Sequence, residues 1–225
     1  MSLLTEVRDR ALTRPWLLAP PLLGLLGQNL LLLLSPGAPA AMALKMLLTA
    51  LMTAAVTALF AELWLGDGWS VAPRRVAAAW KLFLLPYPLL LVFGFLTTPL
   101  VYWLLHAELS DYAKMGGISF VLGLGKLAAF FLGAVSSLAL YRRAESAGAL
   151  GALWLGMRTV AANAGYFLLM MGGLWLFQEA CVFLASSLAP NLPLAGLVTT
   201  VIPLLGAVAL PMEAWRSGRL SPGRK

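Results

Sequence analysis

Lys126 and Glu179 are ionisable residues set inside otherwise apolar runs, and chemistry is to be sought there first. A charge at the centre of a bilayer costs roughly 2.5–3.5 kcal/mol on insertion scales, so such a residue pairs with another group or serves a substrate. The two runs are consecutive, and the charges lie at similar depths, so antiparallel helices would set them on one level. The pair is then either a lock between helices or a substrate or proton site. Ser119, Gly123, Gly133 and Ser137, with Phe130, share the helix face of Lys126, and Gly165, Gly172, Glu179 and Ser186 recur at a heptad spacing on the next run. Small residues let helices approach closely in lipid, and tight packing accounts for both stripes. A further polar row, Lys45, Thr49, Thr53 and Thr57, has i+4 spacing. It lines a path, or its hydroxyls bond carbonyls one turn back. Gln28 and Asn29 add amides that seek partners on other helices.

Other chemistries lack their residues. One histidine, His106, excludes an HExxH site, and one cysteine, Cys181, excludes a disulfide framework, a redox pair and a cysteine-rich zinc site. His106, Glu108 and Asp111 form an acidic outer cluster, but no second histidine completes a usual metal site. No metal and no cofactor is expected. Nucleophile elbow, P-loop and dinucleotide motifs are missing, so the chain is not expected to be an enzyme.

The elements that position these residues follow from composition. Of 225 residues 61% are hydrophobic and 11% charged, against roughly 45–50% and about 25% in soluble domains. A compact soluble core of this size could not hide so much apolar surface. An all-α, multi-pass membrane domain over residues 1–225 is expected, because lipid offers the backbone no hydrogen bonds and no barrel period is present. Six runs reach the length of about 20 residues that a span needs: 16–34, 41–65, 82–105, 118–141, 160–187 and 194–215. Breaks fall at Ser35-Pro36-Gly37, Gly66-Asp67-Gly68, Met115-Gly116-Gly117 and Pro190-Asn191. Pro20, Pro21, Pro86, Pro88, Pro99, Pro203 and Pro211 kink or end helices. Ala38-Pro39-Ala40 resembles a leader cleavage site. The apolar run 16–34 is longer than a leader's apolar core of about 7–15 residues, so an uncleaved first span is expected.

Thirteen of the 16 basic residues, among them Arg74, Arg75, Arg142, Arg143 and Arg158, fall on one side of such a bundle. The bias predicts that both termini are cytoplasmic. It also accounts for the net charge of +7 as topology plus attraction to anionic lipid, with nucleic acid not expected as a partner. Segments 71–81 and 150–163 read as short interfacial helices. Matches at one constant offset (Ala61-Glu62 with Ala144-Glu145, Arg75 with Arg158, Ala78-Ala79 with Ala161-Ala162) predict a repeated, parallel helical hairpin.

Arg14-Pro15-Trp16, then Gly68-Trp69-Ser70 through Ala79-Trp80-Lys81, resemble bacterial six-span membrane proteins of the YciC-like type. They are similar too to the membrane domain of some glycerophosphoryl diester phosphodiesterases. The likeness continues at Ala144-Glu145-Ser146-Ala147-Gly148-Ala149-Leu150, Gly156-Met157-Arg158 and Ala162-Asn163. The resemblance implies a multi-pass domain without known catalytic residues, the phosphodiesterase being a separate soluble module. The expectation is a protein of the cytoplasmic (inner) membrane that acts as an accessory, a scaffold or a permease-like component. The alternative is a transporter of lipid or small solute working through Lys126 and Glu179, and a membrane-embedded enzyme comes third. Expected partners are membrane lipids, and beyond them another membrane protein or a second copy of the chain.

Overall fold

The computed structural model describes residues 2–32, 39–66, 72–188 and 194–221; the described residues are helical, without strand. Helix α1 (Leu3–Thr13) is followed by a 3-10 turn (Pro15–Leu18) and α2 (Ala19–Leu32). Then come α3 (Pro39–Leu65), α4 (Pro73–Leu84), α5 (Tyr87–His106) and α6 (Asp111–Tyr141). A turn at Arg143–Glu145 leads to α7 (Ala149–Ala162), α8 (Ala164–Leu188) and α9 (Leu194–Pro203); a π segment (Leu204–Ala209) joins α9 to α10 (Leu210–Arg216). Five stretches are long and apolar enough to cross a membrane: Leu44–Leu65, Pro73–His106, Asp111–Tyr141, Ala164–Ala185 and Val198–Arg216. They mark the chain as a multi-pass helical membrane protein. The expected span 16–34 is described as far as Leu32, where α2 has 14 residues, or about 21 Å of helix. The breaks expected at 35–37, 67–68 and 190–191 lie outside the described residues.

Two boundaries differ from expectation. Met115-Gly116-Gly117 lies inside α6, which begins at Asp111 under a Ser110 cap whose hydroxyl accepts the Ala113 N–H. Glycine persists in this helix because α5 sits close: a Cβ on Gly117 would lie 3.0 Å from the Leu104 side chain. The second difference is where helices start relative to the residues matched in sequence. Helices α4 and α7 start at Pro73 and Ala149, and α5 and α8 at Tyr87 and Ala164. The members of each of these two pairs of helix starts are closer together in the chain, by more than a helical turn, than the matched residues Arg75 and Arg158. Glu62 accordingly lies in the last turn of α3 while Glu145 lies beyond the end of α6.

Most of the dry core lies toward one end of the bundle, where Phe60, Trp64, Leu82, Phe83, Leu140, Val208 and Met212 are buried together. Most of the arginines gather at this end, called here the basic end. Helix α1 packs on α10 there through Arg10–Glu213 (2.8 Å), and Glu6 pairs with Arg219 just past the end of α10 (2.9 Å). Gly218, at φ +69°, closes α10 and sends the chain back, burying Leu220 and pairing the Ser221 backbone with the Asn163 amide.

Two prolines leave carbonyls without their helical donors, and adjacent serines of α6 supply replacements. Pro86 ends α4 and has no N–H for the Leu82 carbonyl, which takes the Ser136 hydroxyl instead (2.9 Å). Pro211 likewise offers none to the Ala207 carbonyl; the Ser137 hydroxyl lies 3.2 Å from it and 2.7 Å from Gly133 O.

Candidate functional site

Lys126 is the midpoint of α6, about four helical turns before its end at Tyr141. Glu179 lies about four turns past the start of α8 at Ala164. Both are therefore about 22 Å from the basic end. Lys126 Nζ and Glu179 Oε1 form a direct ion pair. The two side chains keep 42% and 41% of their surface accessible, so the pair is not sealed into the core.

Lys126 lines a cavity of about 300 Å3 that extends from mid-bundle toward the corner between α4 and α5. Its walls are mostly apolar, with polar points at Thr53 and Thr57 of α3, Tyr87 of α5, Ser136 of α6, Gln178 of α8 and Thr199 of α9. Gln178 is 4% exposed, and its Oε1 has no hydrogen-bond donor among the described residues. A buried, unpaired polar group of this kind costs about 1–3 kcal/mol. Pro203, Leu204, Ala207 and Val208 place the α9 end and the π segment along the same cavity. Such π segments arise where a helix departs from its ordinary bonding, often beside functional sites.

The remaining polar candidates divide by depth and by face. Gln28 lines a second cavity of about 90 Å3 together with Thr53, Thr57, Thr199 and Thr200. Thr49 and Thr57 donate to Lys45 O (2.8 Å) and Thr53 O (2.7 Å), the back-bonding that their i+4 spacing permits. Lys45 and Thr49 line neither of these two cavities. Asn29 donates to Leu25 O (3.0 Å) within its own helix. His106 turns Nδ1 to Tyr102 O (2.8 Å) and packs its ring on Tyr102. Among the described residues there is no cluster of three or more His, Cys, Asp or Glu side chains able to hold a metal.

The interfacial arginines play different parts. Glu62 is wholly buried, with Arg143 Nη1 at 2.9 Å on one oxygen and Arg75 Nη2 at 3.0 Å on the other. It ties α3 to α4 and to the turn after α6. Arg142 donates to Glu145 (2.8 Å) and Thr159 (2.8 Å) and stacks over Trp215. Arg74 is exposed in the first turn of α4, and Arg158 is half-buried on α7.

The glycine stripes behave differently on the two helices. Gly123 and Gly133 are contact points: a Cβ there would meet Trp175 at 2.4 Å and Ala207 at 2.9 Å. Gly165 and Gly172 face open space, so tight packing does not account for the α8 stripe. Sequence reasoning missed Gln178, a neutral amide one position away from Glu179. It also missed Ser136 and Thr199, which gain meaning only once helices are placed side by side. No protein-family model, curated protein or solved structure matches the chain.

Proposed function

We propose that this chain is a permease-like component of a bacterial-type cytoplasmic membrane that takes the polar head of an amphiphile into the cavity beside Lys126 and moves it across the bilayer without catalysis. The observation that carries this reading is the buried, unpaired Gln178 carbonyl beside a largely apolar cavity that Lys126 also lines. A ligand donating to that oxygen would offset its burial. Leu90 lines both this cavity and an open apolar groove bounded by Met46 and Leu90–Thr98, giving an acyl chain a place beside the head. The π segment, whose helical bonding departs from the ordinary pattern, forms one wall of the same cavity.

The finer organisation belongs to the same proposal: six spans counting 16–34, both termini cytoplasmic, and a repeated hairpin of a long span with an interfacial helix, as the resemblance to YciC-like proteins implies. The charge bias toward the basic end supports the orientation. The matching order α3–α4–α5 and α6–α7–α8 supports the repeat. A second reading, an accessory subunit that packs on another membrane protein or on its own copy, draws on α5, most of whose large apolar side chains lie at the surface, Phe95 and Leu96 among them.

Thermal unfolding in detergent with added lysophospholipid tests the site. Stabilisation of the wild type and its loss in Gln178→Leu support binding in the cavity. Equal shifts for both, or none, would refute it.

A further inference from the structure

We propose that a second pocket, at the basic end between α1, α3, α6 and α10, binds an anionic phosphate group. The pocket has a volume of about 270 Å3 and is lined by Arg10, Trp64, Leu65, Tyr141, Met212, Glu213 and Arg216. Its charge is unbalanced. One carboxylate, Glu213, stands between two guanidinium groups, with Arg10 Nη1 at 2.8 Å and Arg216 Nη1 at 3.7 Å. Glu213 neutralises one cation and aims both at the same space, leaving one positive charge in excess. The Arg10 guanidinium carbon also lies over the Trp64 ring, 5.5 Å from its centroid, a cation–π contact.

An independent feature points to an acceptor. Trp64 is fully buried, and its indole N–H has no partner among the described residues. Indole is donor-only, so what completes it must carry an acceptor oxygen. Two arginines lining one space, with the buried N–H behind its wall, match a tetrahedral oxyanion, since guanidinium groups bind phosphate through several parallel donors. The volume of about 270 Å3 leaves room for a phosphate with a glycerol-sized substituent. Desolvation by burial lowers the pKa of Arg10 from its usual value, with Glu213 opposing that shift and Arg216 and Arg14 adding to it. A bound anion would relieve the same strain. The phosphate comes either from a lipid headgroup, since the proposed topology sets the basic end at the headgroups, or from a soluble phosphorylated molecule.

The test uses the full chain in nanodiscs of phosphatidylcholine. One arm adds phosphatidylglycerol to the bilayer; the other adds glycerol 3-phosphate or inorganic phosphate to the buffer, and thermal stabilisation is titrated in each. Arg216→Gln is the main variant because Arg10 keeps Glu213 paired, and Trp64→Phe removes the indole donor together with part of the buried ring, so each variant's response is measured against its own ligand-free melting temperature. Each is expected to weaken the response about tenfold, the scale of one hydrogen bond to a charged group. Arg8→Gln, removing an exposed arginine paired with Asp9, is expected to leave it unchanged. A response confined to phosphatidylglycerol identifies a lipid site, and a response in both arms identifies the phosphate itself. An equal loss in Arg8→Gln, an unchanged response in both pocket variants, or no response in either arm overturns the proposal.

Discussion

Ser136 and Ser137 illustrate how a single hydroxyl can stand in for a missing backbone donor. Ser136→Ala would leave the Leu82 carbonyl unpaired at the α4–α5 corner, and we expect a loss of about 0.6–2 kcal/mol in reversible unfolding in micelles. Pro86→Ala restores an N–H at that corner, so Ser136→Ala should cost less in that background. Equal costs in both would show that the bond is incidental. The Lys126–Glu179 pair is expected to behave as a unit. Lys126→Met and Glu179→Gln should each lower folded yield, and the double variant should recover, because a lone survivor is left uncompensated in the bilayer. The pairing was legible from sequence because two charges in consecutive apolar runs lay at one depth. Gln178 was not, since a neutral amide costs less to bury and advertises no partner, and Ser136 gains its role only from where Pro86 stops a helix.

At the scale of elements, α7 is held on α6 by a backbone approach. A Cβ on Gly156 would lie 2.3 Å from the Val135 carbonyl oxygen, an atom that cannot swing aside. Gly156→Ala should therefore lower stability by about 1–3 kcal/mol by forcing the helices apart. Gly172→Ala, facing open space on α8, should leave the melting temperature unchanged or slightly raised, alanine being the better helix former. The apolar runs of α3, α5, α6, α8 and α9–α10 were readable because length and hydropathy alone decide them. The start of α6 was not: its first turns mix Asp111, Lys114 and two glycines, which read as a loop until Ser110 is seen to cap them and Leu104 to pack on Gly117. The matches of Arg75 with Arg158 and of Ala78-Ala79 with Ala161-Ala162 do not line up with the helix starts, because Ala-rich segments match one another at several offsets. Helix boundaries depend on Pro86 and Asn163, which those matches do not include.

For the whole molecule, the charge bias gives a topology that labelling can read. In a Cys181→Ser background, a cysteine at Ser110 should react with an impermeant thiol reagent from outside intact cells, and one at Ser146 only after permeabilisation. The reverse pattern would invert the orientation while leaving the bundle as described. The central claim is that the cavity at Lys126 and Gln178 carries an amphiphile's head through the bilayer. Liposomes containing a headgroup-labelled fluorescent phospholipid, with and without the reconstituted chain, are quenched from outside with dithionite. Wild-type protein should raise the quenched fraction above that of protein-free liposomes, and the folded Lys126→Met/Glu179→Gln variant should not. Wild-type liposomes that match the protein-free control, or a double variant that matches the wild type, would contradict the account.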